Sequence, residues 1–381
     1  VNTLEELGVA PIINAATTFT AIGGSIMPPE VLDAMRGAAG SFVDLHEAHR
    51  LVGARLAELT HNDAAYVTSG CAAAIVLGIL GCRTGAEPEA IGRLLEGEGF
   101  PDEVLMHAAH RIPYDPAVQL AGARVRSFGN VLQTFPWELE AAIGERTAAV
   151  LYVAGTHLPP GALPLGQAVE IAHARGVPVL VDAAAQLPPV DNLWRFTREE
   201  GADLALFSGG KALRGPQASG LMVGRGELVV AARAHGAPHQ RLARAMKVGK
   251  EELAGLLAAV SRYVTLDHDA QRQEWDATVE RWQHALGTQP GVTATIEGHN
   301  EAGQPVPRVR VEVDATVLGR TGASIVEELR GGRPRIDVLP GGPDRFWIGP
   351  DLLEGDQAET VVRAIQTAIA AGGDGKEVND G

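Results

Sequence analysis

The sequence predicts an α/β fold, a mostly parallel sheet covered by helices on both faces, followed by a smaller α+β domain. Two observations predict it. Between residues 60 and 230, short runs of near-continuous Val, Leu and Ala alternate with stretches of helix length, the pattern of strands buried on both faces of a parallel sheet. From about residue 245 that alternation gives way to long helices and a few scattered strands.

Taken in order, "AAYVTSG" (64–70) reads as a strand running into a turn, and "CAAAIVLGILGC" (71–82) as a buried helix. "DEVLMH" (102–107) is a strand, "PAVQLAGA" (116–123) a helix and "RVRSFG" (124–129) a strand. "WELEAAIGE" (137–145) is a helix, "TAAVLYVAG" (147–155) a strand, and "LGQAVEIAHARG" (165–176) a helix ended by glycine. Three strands follow, in "VPVLVDAA" (177–184), "ADLALFSGG" (202–210) and "ASGLMVGR" (218–225). Beyond 245, "KEELAGLLAAVSRYV" and "DAQRQEWDATVERWQHALG" read as long helices. Strands come near 308–314 and 345–350, and a last helix near 356–371. The expected domains are residues 1–245, 246–372 and a frayed tail, 373–381.

The bulk composition narrows the function. The chain has 381 residues, 45% of them hydrophobic, enough for a large core or a two-lobed enzyme. Its 32 basic and 47 acidic residues give a net charge of −15, which argues against a nucleic-acid or anionic-membrane partner. Two cysteines, Cys71 and Cys82, form neither a disulfide framework nor a zinc motif, and a cytoplasmic location fits. The start, "VNTLEELGVAPIIN", does not read as a signal peptide, and no apolar run is long enough for a membrane span.

Three strand ends carry the chemistry, because ligands of such sheets sit at the carboxyl ends of strands. At the first, Thr68, Ser69, Gly70 and Cys71 lead into a helix, where free backbone N–H groups suit a phosphate. A simple helix cap and a packing cysteine are the alternative. At the second, Asp182 closes the apolar run "VPVLVD". A buried carboxylate needs a partner: either Asp182 caps the next segment, or it pairs with a protonated heterocyclic nitrogen such as that of pyridoxal 5'-phosphate (PLP). At the third, Lys211 follows Ser208, Gly209 and Gly210. A lysine so placed can form a Schiff base with an aldehyde, Ser208 can offer its hydroxyl to the same phosphate, and the glycines would let backbone and cofactor approach closely. The order of cradle, aspartate and lysine is far more specific than any one of them.

The chain resembles fold-type I PLP-dependent enzymes, and among them the group that joins bacterial selenocysteine synthase to D-glucosaminate-6-phosphate ammonia-lyase. The resemblance rests on "LGVAPIINAATTFTAIGGSIMPPEVLDAM", "VTSGCAAAI", "VDAAAQLPP", "ADLALFSGGKALRGPQASGLMVGR" and "AMKVGKEELAGLLAAV", the last two closer to the ammonia-lyase branch. It implies a fold-type I transferase fold with a seven-stranded sheet, PLP as cofactor, Lys211 as its Schiff-base lysine and Asp182 as partner of its pyridinium. It places Ser69, Gly70, Cys71 and Ser208 around the phosphate, cysteine standing where the group usually has a smaller residue.

Fold-type I enzymes also stack a side chain on the cofactor ring. "LMHAAHRIP" offers His107, preferred because it closes its strand, and His110 as runner-up, with ordinary loop histidines as the alternative. Gln186 is placed to reach the ring oxygen. On the substrate side, the group places the segment 14–25 over the site, so Asn14, Thr17 and Thr18 are contacts unless they serve as turn caps. Arg111, Arg214, Lys247 and Lys250 are candidates for a carboxylate or phosphate.

The expected reaction is Cα deprotonation of a hydroxy-amino acid or sugar amino acid, with β-elimination to a keto acid and ammonia. Racemase or aldolase chemistry is the alternative, and a tRNA-dependent selenium transferase is further off because of the acidic charge and the lack of a basic N-terminal domain. A homodimer or larger even-numbered assembly is expected, with the segment 235–250 reaching a neighbouring site through Lys247.

Overall fold

The structure, a computed structural model, describes residues 3–371, so the expected tail at 373–381 lies outside the described residues. The strands are numbered in chain order: β1 (Ile12–Asn14), β2 (Ala64–Thr68), β3 (Glu103–His107), β4 (Arg124–Phe128), β5 (Thr147–Val153), β6 (Val179–Asp182), β7 (Leu204–Ser208), β8 (Gly220–Gly224), β9 (Val292–Glu297), β10 (Arg308–Val313), β11 (Arg335–Asp337), β12 (Leu339–Pro340) and β13 (Arg345–Ile348).

Two compact units divide the chain. The larger holds Ser25–Leu266 with Ala302–Gln304; the smaller holds the described residues before Ser25, Asp267–Glu301 and those from Pro305 onward. These bounds differ from a division at 245/246. The helix Lys250–Tyr263 packs with the larger unit, since its Leu253, Leu256 and Val260 complete one face of that core. The N-terminal segment belongs to the smaller unit, where Ala15 is buried and β1 pairs with β11.

The larger unit is built on a seven-stranded sheet in the order β2-β8-β7-β6-β5-β3-β4. β3 to β7 are mutually parallel where they pair, and β8 runs antiparallel to both β2 and β7. The composition explains this placement. β5, β6 and β7 read TAAVLYV, VLVD and LALFS and are almost entirely buried, as strands covered on both faces must be. One face receives the helix Cys71–Thr84, which buries Ile75, Leu77, Ile79 and Leu80 together with Met106, Leu180 and Met222. The other receives Leu56, Leu139, Val169 and Leu256 from four further helices. Each fully buried leucine or isoleucine contributes roughly 1.5–3 kcal/mol.

The smaller unit carries a four-stranded antiparallel sheet, β12-β13-β10-β9. The alternation of β10, RVRVEV, sends Val309, Val311 and Val313 into a core with Phe346, Ile348, Ile325, Ile365 and Trp282. Among the described residues, no helix is long and apolar enough to cross a membrane.

Gly220 sits where the sheet meets the first strand end. It starts β8 opposite Thr68 of β2 and Ser208 of β7, and a Cβ there would lie 2.5 Å from the carbonyl carbon of Gly70 and 2.7 Å from Thr68 Oγ1. Backbone cannot yield as a flexible side chain can, so overpacking here is costly. Gly220→Ala should lower stability by about 1–3 kcal/mol, read as a drop in the urea midpoint at unchanged slope. An unaltered midpoint would mean that the Gly70 backbone has room to move.

Candidate active site

The three strand ends lie in the larger unit, on β2, β7 and β6 and the turns after them, with β8 between β2 and β7 in the sheet. After β2 the chain turns at Gly70, whose φ of 116° strains any L side chain. Nothing lies within 4 Å of where a Gly70 Cβ would stand. The helix Cys71–Thr84 therefore begins with its N-terminus open and without a side-chain cap, an electropositive end with unclaimed N–H groups. The hydroxyl of Thr68 donates to the Gly70 carbonyl at 2.9 Å and fixes the turn.

Asp182 ends β6 at 5% exposure. Its Oδ1 accepts from the Ala184 N–H at 3.0 Å, and the Cys71 thiol lies 3.5 Å from the same oxygen and 3.4 Å from the Leu206 carbonyl. Oδ2 has no hydrogen bond, and no cation stands within ion-pair distance, among the described residues. Burial pushes this carboxyl above its usual range; the Ala184 and Cys71 hydrogen bonds and the Lys211 charge pull the other way. The contrast is Asp203, equally buried, which holds Arg225 at 2.7 Å, His173 at 2.8 Å and the Val179 N–H at 2.7 Å. Asp203 is a satisfied structural carboxylate. Asp182 is one with a side left open.

Cys71 thus turns its sulfur to the carboxylate, and its thiol is held well above the ordinary range by burial and by Asp182. What it can offer a phosphate is its backbone N–H, not its side chain.

Lys211 stands half-buried in the turn after β7, and its ammonium makes no hydrogen bond or ion pair among the described residues. The turn is firmly held. Gly209 N–H donates to the Ser219 carbonyl at 2.9 Å, Gly215 N–H to the Gly209 carbonyl at 2.8 Å, and Ser25 Oγ to the Gly210 carbonyl at 3.0 Å. The glycines allow the close approach of backbone that was expected of them. A Cβ at Gly209 would lie 2.1 Å from Ser219 Oγ, and one at Gly210 would lie 2.6 Å from Gln217 Cα. They are small so that the returning chain can pass.

His107 is wholly buried at the end of β3. Its Nε2 accepts from the Leu163 N–H at 3.2 Å, and its ring lies 4.4 Å from Phe128 and 5.6 Å from Tyr152. Phe128 belongs to the edge strand β4, on the far side of β3 from Asp182. His110 Nδ1 instead accepts from the N–H of Val153, the register partner of Asp182, at 3.3 Å. Burial lowers both rings, His107 to about 3 and His110 to about 4, so both are neutral near pH 7.

Other candidates are engaged locally. Gln186 Nε2 donates to the Ala302 carbonyl at 3.1 Å. Arg111 pairs with Asp115 and donates to Ser127 Oγ at 2.9 Å. Arg214 donates to the Ile26 carbonyl at 2.7 Å, and Lys250 is paired with Glu251. Lys247 is exposed and has no ion pair among the described residues. In the smaller unit, Asn14 Oδ1 accepts from the Ala16 and Thr17 N–H groups, and Thr17 is buried with its hydroxyl on Glu301, so both side chains are satisfied as turn residues. Thr18 is half-buried. Sequence reasoning placed Thr68 at the cradle but missed that its hydroxyl locks the turn, and it missed the hydrogen bond of Cys71 to Asp182; neither contact has a signal in the spacing.

Comparison with known proteins agrees with this layout. A family model described as "SelA: L-seryl-tRNA selenium transferase" matches residues 12–277. A 5'-C-glycyluridine monooxygenase-decarboxylase from Streptomyces sp is 33% identical over 96% of this chain and 91% of its own. The D-glucosaminate-6-phosphate ammonia lyase of Salmonella typhimurium (strain 14028s / SGSC 2262) is 33% identical over 88% of each chain. A solved structure of D-glucosaminate-6-phosphate ammonia-lyase superposes with a TM-score of 0.86 at 30% identity, covering 98% of this chain and 100% of that one. The chain belongs to the SelA family of fold-type I PLP-dependent enzymes. The residues fit the cofactor: an open helix N-terminus for its phosphate, a buried carboxylate with a free oxygen for its ring nitrogen, and an unpaired lysine for its aldehyde.

Asp182 sets a pH-dependent stability. With the folded-state carboxyl raised, the native apoprotein keeps a proton that the unfolded chain releases above about pH 3.8, so stability is lost as pH rises through that window. Asp182→Asn should therefore melt at a higher temperature than wild type at pH 7 without PLP, the gap closing toward pH 4. Thermal melts of the two apoproteins check this; a wild type that is the more stable at pH 7 would mean that the protein alone satisfies the carboxylate.

Proposed function

From its membership in the SelA family, we propose that this protein is a PLP-dependent lyase. It removes the Cα proton of a hydroxy-amino acid or sugar amino acid and eliminates the β-hydroxyl, giving a keto acid and ammonia. The observation that carries the reading is the open oxygen of buried Asp182 beside the strand that presents Lys211. The match to the ammonia lyase along 88% of both chains supports the reaction type.

When bound, PLP supplies an aldehyde for the substrate amine and a ring that accepts the electron pair left by the Cα proton. The chain does the rest. The N–H groups at the start of the Cys71–Thr84 helix, with Ser69 and Ser208, bind the phosphate. Asp182 Oδ2 keeps a proton on the ring nitrogen, and Cys71 and Ala184 hold that carboxylate in place. His110 would help hold the bound cofactor, favoured over His107 because its partner Val153 lies beside Asp182. Lys211 Nζ takes the Cα proton and returns it to the departing β-hydroxyl, which leaves as water. The water lost in elimination is regained when the product hydrolyses to keto acid and ammonia.

A second reading has its own observation. Equal identity to the monooxygenase-decarboxylase, over 96% of this chain, favours oxidative decarboxylation of an amino acid, with consumption of O2. Transfer of selenium on tRNA fits less well with a net charge of −15.

Purified protein given PLP should absorb in the visible, and borohydride should fix the cofactor on Lys211, as read by peptide mass spectrometry. Supplied with D- and L-hydroxy-amino acids and sugar amino acids, it should release ammonia and keto acid in equal amounts and take up no O2. Uptake of O2 with release of CO2 would select the second reading; label on another lysine would remove the site assignment.

The reading extends to assembly. In a homodimer with shared sites, exposed Lys247 of one subunit serves the partner's site. Lys211→Ala and Lys247→Ala proteins, each inactive, should recover part of the activity when subunits are exchanged. No recovery despite exchange proven by mass tagging would rule out sharing.

A further inference from the structure

A second cluster of basic side chains in the larger unit shares no residue with the cradle, aspartate and lysine described above. The helix Leu45–Leu59 presents His46, His49 and Arg50 from its first two turns, and Arg233 and His239 come from the end of the helix Gly226–His235 and the loop after it. With Glu47 and Pro238 they line a cavity of about 370 Å3. The two segments meet at the rings of His46 and His239, whose centroids are 4.9 Å apart.

His49 is the informative residue. It is 4% exposed, lines the cavity, and neither ring nitrogen has a hydrogen-bond partner. Its ring is braced by Tyr66 of β2 at 5.2 Å. Native proteins seldom leave buried donors and acceptors unmet, because each has lost its water with no replacement partner. Arg50 and Arg233 are also without an ion pair among the described residues, in a chain with an excess of acidic groups. Burial, then the Arg233, His46 and His239 charges, lower the His49 ring to about 4. Glu47 is the acidic residue of the lining.

We infer that this cavity binds a phosphate group, separate from the cofactor's own phosphate cradle at Ser69 and Gly70. Two guanidinium groups can each present paired N–H donors to a tetrahedral dianion, and the neutral His49 ring adds one more. A metal cation would be repelled by the arginines. The assignment does not depend on the lyase reading. The group reaches the cavity either as free inorganic phosphate or as an ester on the substrate.

The test uses PLP-loaded protein in phosphate-free buffer, titrated with inorganic phosphate by calorimetry. Wild type should bind one phosphate per chain beyond that of PLP. The Arg50→Ala/Arg233→Ala protein should bind at least tenfold more weakly with an unchanged visible spectrum and melting temperature. His49→Phe should weaken binding and His49→Gln, which keeps a donor, should largely restore it. Arg55→Ala, on the same helix but paired with Glu58, should have no effect. Absence of saturable binding in wild type, or equal affinity in the double variant, would overturn the assignment. Displacement of phosphate by D-glucosaminate 6-phosphate but not D-glucosaminate would identify a substrate ester, and displacement by neither would identify free phosphate. Equal displacement by both would overturn the phosphate specificity. The visible band, recorded on the same samples, reports on the cofactor site independently.

Discussion

A carboxylate taken out of water with one oxygen unclaimed is the constraint around which the larger unit is organised. Asp182 has been removed from solvent by β5 and β7 on either side of its strand and by the helix behind it. Burial pushes its carboxyl above the usual range, toward the neutral acid, whereas a pyridinium pairs with the ionised form. The chain supplies one backbone N–H and one thiol, enough to orient the group and too little to satisfy it. Asp203, in the same sheet, shows what full satisfaction takes: an arginine, a histidine and an amide. The difference between the two is that the chain leaves one oxygen of Asp182 without a partner of its own, among the described residues.

The surrounding elements follow from that need. The helix Cys71–Thr84 is apolar all round because it is sandwiched between the sheet and the helix Gly226–His235, where Gly81 lets the two backbones approach. Such burial leaves its N-terminus pointing at the strand ends with nothing to cap it. The turn at Lys211 is held by hydrogen bonds to residues 25 and 219, so the lysine side chain extends from a fixed frame. Placing reactive groups on fixed elements limits the geometry they must search.

Strand ends were legible in the sequence because the strands of a covered sheet are apolar almost without interruption, so Asp182 and Lys211 stand out as the charges that end such runs. The helix at Cys71 was legible for the same reason. What could not be read was anything set by contacts distant in sequence. The Lys250–Tyr263 helix carries no mark saying that Leu253 and Leu256 face the first core, and β1 is three residues long with a partner more than three hundred residues away. Nor does spacing encode which backbone N–H each histidine receives, that of Leu163 for His107 and that of Val153 for His110. Likewise the glycines at 209 and 210 announce a close approach but not what approaches.

The antiparallel strand β8 has a topological consequence. In the sheet, β2 has β8 as its neighbour, and their register joins residues more than a hundred and fifty positions apart, Thr68 with Gly220 and Ala64 with Gly224. The entropy of closing so long a loop rises only with the logarithm of its length, yet none of it is offset until the far strand exists. During synthesis, then, the strand that leads into the phosphate cradle emerges early and waits as an unpaired edge. No N-terminal fragment that stops short of residue 220 can seat that cradle in the sheet, even if it already contains both Asp182 and Lys211.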